Sequence, residues 1–261
     1  MKDRVRKDIG AKGQLKDWSS IDWGTVKRRV KNLRQRIYRA TQDGEWNKVR
    51  SLMKLMLRSY SNMLLSVRRV TQENRGKKTA GVDGQTVVTP AERVKLTNEM
   101  LDYSLWKAKP VKRVYIAKAN GKRRPLGMPT IKNRVSQAIV KNALEPHWAA
   151  RFEANSYGFR PGRSCHDALE QCWIRLQKGK DTWTLDADIE GAFNNISHGY
   201  ILKAIGKIPG RELIKQWLKA GYVEEEVFHS TESGVAPGGH RSYCPSYPTV
   251  ACGARSQIEF G

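Results

Sequence analysis

Trp183-Thr-Leu-Asp-Ala-Asp-Ile-Glu-Gly-Ala-Phe-Asn-Asn-Ile-Ser-His198 is the stretch whose reading decides the fold. Thr184, Leu185, Ala187 and Ile189 interleave with Asp186 and Asp188, a short strand pattern that delivers acidic side chains to its end. The small residues Gly191 and Ala192 follow, then Phe193, then a polar turn ahead of a helix. A buried strand carries a carboxylate only where something offsets its desolvation, and a divalent metal ion is the commonest agent. An ordinary strand edge with solvated aspartates is the plainer alternative. The neighbouring segments decide between them.

Immediately upstream, Asn155-Ser-Tyr-Gly-Phe-Arg-Pro-Gly-Arg-Ser164 sets Tyr157, Phe159, Arg160 and Arg163 in a Gly/Pro-rich loop, with Ser164 placed to cap the next helix. Such a loop suits a nucleic-acid strand held by arginine–phosphate contact and aromatic packing. Further back, the pattern predicts a strand over Val111–Lys118, a tight turn at Asn120-Gly121 and a returning strand over Lys122–Met128. Lys118, Lys122, Arg123 and Arg124 crowd that one turn. Cations on a two-stranded flap suit a triphosphate, because they close over it and neutralise charge during phosphoryl transfer. A solvated basic hairpin is the alternative.

The remainder of the 261 residues sharpens the charge argument. The formal net charge is +23 and the pI about 10.1, while 39% hydrophobic residues suffice for a core. A cation of that size repels itself unless a polyanion is its usual partner, and nucleic acid leads over an anionic membrane surface. No apolar run nears 18 residues and no signal-peptide pattern opens the chain, so the expectation is a cytoplasmic protein without a membrane partner. Four scattered cysteines make neither a disulfide framework nor a zinc site. Cys165 and Cys172 read as small core residues on one helix face, and the five histidines as structural or solvated.

Ser19-Ser20-Ile21-Asp22 supplies cap-type residues before a helical pattern with Val26, Val30, Leu33 and Ile37 inward. Its other faces carry Lys27, Arg28, Arg29, Lys31, Arg34, Arg36 and Arg39 with no acid between them. Cations at helical spacing repel one another, so a phosphate backbone explains them better than solvent does. After Asp43-Gly44 one long helix is expected, with a core stripe from Trp46 to Val67. Arg75–Gly84 reads as a basic, turn-rich loop. Helices are expected over 89–105, 135–152, 164–177, 200–205 and 211–220, and a strand over 223–230.

Lys118-x-x-Gly121-Lys122-x-Arg124-Pro125-Leu126-Gly127-x-Pro129, the loop 155–164 and Asp188-Ile189-x-x-x-Phe193 occur in this order. Together they resemble the corresponding blocks of group II intron reverse transcriptases, the intron-encoded maturases, and the likeness extends over roughly 18–239. That resemblance implies an α+β right-hand polymerase fold: a basic helical N-terminal extension (1–59), fingers (60–180) and a partial palm (181–239). It implies that Asp188 and the backbone carbonyl of Ile189 bind Mg2+, that Lys118 and Arg124 contact the incoming dNTP, and that Phe193 selects deoxyribose over ribose. It implies group II intron RNA, an RNA template and a DNA primer as partners. Lys27, Arg28, Arg29, Lys31, Arg34, Arg36, Arg160 and Arg163 are the expected RNA contacts.

The likeness weakens downstream. The family's Tyr-x-Asp-Asp pair is missing, and no aspartate follows Asp188. Gly234-Val-Ala-Pro-Gly-Gly239 resembles the family's Pro-Gln-Gly-Gly block without its glutamine, and residues 240–261 show no strand or helix period. A one-nucleotide shift across 236–240 permits Pro-Gln-Gly, so the expectation is a frameshifted tail on a truncated reading frame. The gene's nucleotide sequence checks it, and absence of the family's residues from the other frames defeats it. Two functions stay open at this point: a reverse transcriptase fragment inactive as a polymerase, and a non-catalytic intron-RNA-binding module.

Overall fold

Asp22 opens the first helix: its carboxylate accepts from the backbone N–H of Thr25 at 3.0 Å and from the Thr25 hydroxyl at 2.6 Å. Those hydrogen bonds hold the carboxyl below its ordinary range. The computed structural model describes residues 14–101, 107–117, 121, 123–158, 160–177, 187 and 192–234. Helix α1 (Trp23–Gln42) buries Val26, Val30 and Ile37 as the pattern requires. Gly44, at φ +69°, then turns the chain into α2 (Trp46–Leu57).

The single long helix expected over 46–67 is two. Arg58 closes α2, and the Ser59 side chain accepts from the Asn62 N–H to start α3 (Tyr60–Arg68). The apolar stripe continues in register across this break, so periodicity alone does not reveal it. Trp46 is not core either. It lies in the first turn of α2, half exposed, with its ring edge-on to His147 at 6.1 Å. Beyond α3 the chain widens into a π turn (Arg69–Glu73) and a short 3-10 turn (Arg75–Lys78) before α4 (Pro90–Leu101).

Strands β1 (Val111–Ala117) and β2 (Arg123–Met128) form the expected hairpin, with Gly121 at φ +74° in its turn. Thr130 then caps α5 (Ile131–Ala149), which begins before the expected Val135 because the cap follows directly on Pro129. Helix α6 (Cys165–Leu176) starts on a reciprocal capping box between Ser164 and Asp167. Contrary to expectation, Cys165 and Cys172 are exposed there, as are Leu169, Trp173, Ile174 and Leu176. A short turn of helix, α7 (Ala192–Asn195), leads to α8 (His198–Ile205) and α9 (Arg211–Lys219).

The strand expected over 223–230 is a hairpin, β3 (Tyr222–Glu224) and β4 (Val227–His229). Glu225 and Glu226 make its two-residue turn at φ +48° and +69°. That turn type favours Asn-Gly, and glutamates gave no signal of it. β3 runs parallel to β1, completing a sheet of order β2-β1-β3-β4. The α+β class is as expected.

Two apolar clusters carry the helices. One joins Ile37, Met53, Met56, Ala143 and Leu144 to Ile201, Ile205, Ile214 and Leu218. The other joins Leu15, Trp18 and Val26 to Leu64, Val67, Leu96, Val135 and Ile139. α1 and α5 contribute to both.

His147, buried in α5, has its Nδ1 3.1 Å from the Thr41 hydroxyl. That hydroxyl spends its hydrogen on the Ile37 carbonyl, so we assign the ring hydrogen to Nδ1, leaving Nε2 to face Arg151. Burial, with Arg151 beside it, lowers the pKa from 6.5 to about 4. A depressed histidine gives stability that is complete above pH 6.5 and is lost as pH falls toward 4. Urea unfolding across that window should show a loss of about 3 kcal/mol. His147→Gln should flatten the dependence, and an unchanged profile in that variant would assign the loss elsewhere.

Candidate nucleotide and nucleic-acid interface

Asp188, Ile189 and Lys118 lie outside the described residues, so the motif is read from what flanks it. Phe193 sits in α7 and is 40% exposed, an open aromatic rather than a core one. The segment just after it is locked. Gly234 donates its N–H to the Ile196 carbonyl at 2.8 Å, and His198 Nε2 lies 2.7 Å from the Gly234 carbonyl. Ser197 bridges Ser233. Gly234 has φ +76°, and a Cβ there would meet the Asn194 carbonyl oxygen at 2.4 Å. Only glycine lets the two strands of chain approach so closely. Residues 194–198, just after Phe193, are thereby joined to Gly234.

In the hairpin, Arg124 pairs across from Ile116 and Arg123 from Ala117, and both arginines are exposed. The base of the flap is rigid. Arg134, 1% exposed at the start of α5, donates to the carbonyls of Pro129 (2.9 Å), Gly76 (3.1 Å) and Thr79 (2.7 Å). Gly81 packs so tightly that a Cβ would lie 2.7 Å from the Thr130 backbone. Arg93, buried in α4, donates likewise to Thr71 and Val88. The basic loop Arg75–Lys78 is therefore fixed against the end of β2. Sequence reasoning missed Arg134; its signal is a lone arginine inside the otherwise apolar run Ile131, Val135, Ala138 and Ile139.

The expected RNA contacts separate into two kinds. Lys27, Arg28, Lys31 and Arg36 are exposed on the outer face of α1, Arg29 half-buried beside them. Arg34 differs: its guanidinium turns inward onto Glu145 and Asn142. Glu145 also takes the buried Lys141, so Arg34 is an internal link between α1 and α5. Arg160 is likewise engaged, donating to the carbonyls of Glu153 and Ser156 with its guanidinium 5.2 Å over Phe152. It shapes the loop. Arg163 is exposed, 5.3 Å over the Tyr157 ring. Among the described residues no three His, Cys, Asp or Glu side chains converge as a metal cluster. Nor is any described helix long and apolar enough to cross a membrane.

Residues 18–100 match the N-terminal domain of reverse transcriptase, and residues 116–243 match the reverse transcriptase (RNA-dependent DNA polymerase) family. Protein YkfC of Escherichia coli K12 is 32% identical over 196 residues, covering 71% of this chain and 51% of that protein. The group II intron-encoded protein LtrA of Lactococcus lactis subsp. cremoris is 39% identical over 172 residues, covering 64% of this chain and 28% of its own. Maturase-like protein 1 of Euglena gracilis is 25% identical over 197 residues, covering 74% of this chain and 43% of that protein. The chain belongs to the group II intron-encoded reverse transcriptase/maturase family, and spans about half or less of these relatives.

Gly234→Ala should separate the glycine block from the Phe193 segment, at a cost of about 2–3 kcal/mol for the strained φ and the clash. Limited proteolysis should then cut faster between residues 192 and 198. Unchanged cleavage would mean that the two segments hold together by other contacts.

Proposed function

We propose that these residues are the RNA- and nucleotide-gripping part of a group II intron reverse transcriptase. The outer face of α1 holds intron RNA, and the hairpin and the Asp188–Phe193 segment hold template, primer and deoxynucleoside triphosphate. The observation that supports this reading is the joint between Gly234 and residues 194–198, the chain just after Phe193. By motif position Lys118 and Arg124 meet the triphosphate, and Phe193 sits against the sugar where a 2′-hydroxyl would clash. Basic extension (1–59), fingers (60–180) and partial palm (181–239) are the functional divisions, and the cytoplasm the setting.

Asp188 and the Ile189 carbonyl are the donors we assign to magnesium. They do not make a two-ion site. Paired ions stand roughly 4 Å apart and need further carboxylates, whereas no aspartate follows Asp188 in these 261 residues. This favours RNA binding without polymerisation by the chain on its own, the second of the two functions. Primer extension with the purified chain should show no template-dependent incorporation, and incorporation abolished by Asp188→Ala would overturn this reading.

Salt dependence tests the RNA grip. Log affinity should fall linearly with log salt, with a slope of about 0.7 to 0.9 for each phosphate neutralised. Replacing Lys27, Arg28, Lys31 and Arg36 with Gln should weaken binding and flatten the slope by about one unit for each phosphate that no longer meets a cation. Arg34→Gln should instead lower stability with little change of slope. Equal slopes in the parent and the fourfold variant would assign those charges to solvent.

A further inference from the structure

The sheet carries a row of stacked groups that no catalytic role uses. Register puts Arg113, Tyr222 and His229 on one face: Tyr222 pairs with His229, and Arg113 lies one step beyond the parallel pair Lys112–Val223. The Tyr222 and His229 rings are stacked, centroids 4.8 Å apart and planes at 17°. The Arg113 guanidinium carbon stands 3.4 Å from the Tyr222 centroid. Strand order β1-β3-β4 places Tyr222 between the other two, so the row is cation, phenol, imidazole. His229 is exposed on β4, the last strand of the described sheet.

We propose that this row is a stacking platform for one unpaired base of single-stranded RNA, seated against the outer side of the His229 ring; the proposal rests on the RNA-binding function above. A ring anchored on its inner side by a second ring and a cation loses little freedom when a third ring is added, which favours a base. Arg113 is held at the far end by Glu224, 3.6 Å away, and that same carboxylate accepts from the Tyr115 hydroxyl. The acid thus faces partners within the sheet. The remaining acids, Glu225 and Glu226, sit in the turn at the opposite end of the hairpin from His229, roughly 10 Å along the strands. They keep a phosphate backbone away from the turn while leaving the ring approachable. Stacking of this kind accepts any base, because every base has a π face.

The test compares an RNA of about twelve nucleotides with an abasic oligonucleotide of the same length and charge, binding the full chain. The parent should prefer the base-bearing strand. His229→Ala should lower that preference by about tenfold and leave the salt slope unchanged, and His229→Phe should keep it. Photo-cross-linking of 4-thiouridine RNA should map to β3 and β4. A His229→Ala variant that discriminates as the parent does would overturn the platform and leave that ring to pack against another polypeptide. A parent that binds both strands equally would overturn the platform alone. A parent that binds neither would overturn the RNA-binding function with it.

Discussion

Arg134 donates to three backbone carbonyls from an almost wholly buried position, and the placing of the basic loop and hairpin follows from it. A buried guanidinium costs several kcal/mol unless its donors are used, and buried loop carbonyls cost similarly unless they find a donor. Each solves the other's problem here. The chain from Gly76 to Thr79 and the exit of β2 at Pro129 are thereby tied to one point at the start of α5. Arg93 does the same on the other side of the loop, at Thr71 and Val88. A basic segment that would wander in solvent is thus presented at a fixed distance from the basic hairpin.

The acids are placed to the same end. Glu145 sits between Arg34 and Lys141 where α1 meets α5, Glu99 pairs with Lys132 where α4 meets α5, and Glu73 pairs with Arg68 at the end of α3. The exposed pair Glu99–Lys132 adds little stability, about 1 kcal/mol or less, whereas the Glu145 pairs are largely buried. Their effect is on the distribution of charge. These three acids face other elements of the fold, and the outer face of α1 has no acid among its cations. The net charge of +23 is a property of faces as much as of composition.

Local chemistry made much of this legible in the sequence. Asp22 and Ser164 cap helices, and Gly44 and Gly121 turn the chain, because each effect is confined to a few neighbouring residues. What failed was what tertiary packing decides. The Ser59 break hides within a continuous stripe, and Trp46 and the α6 cysteines are apolar by type but outward by position. Arg34 and Arg160, expected as RNA contacts, also have internal partners that composition does not reveal, Glu145 and the Glu153 and Ser156 carbonyls. The Glu225–Glu226 turn breaks the usual residue preference outright, so hydrophobic pattern read it as one strand.

The sheet and the helical core pack continuously across the proposed divisions at 60 and 181. Ile201, Ile205, Ile214 and Leu218, from the palm-side segment, share one apolar cluster with Ile37 of α1 and Met53 of α2. β3, from the same segment, completes the finger hairpin by pairing with β1. The joint at Gly234 then returns the chain to the residues after Phe193. Any displacement of α8 and α9 would therefore move through the core to α1 and through β3 to the hairpin. Interiors packed to this density shift as units rather than deform. On the proposed function, an RNA on α1 and a nucleotide under the hairpin would be held by one mechanical body, and the stacked row of Arg113, Tyr222 and His229 lies on the sheet between them.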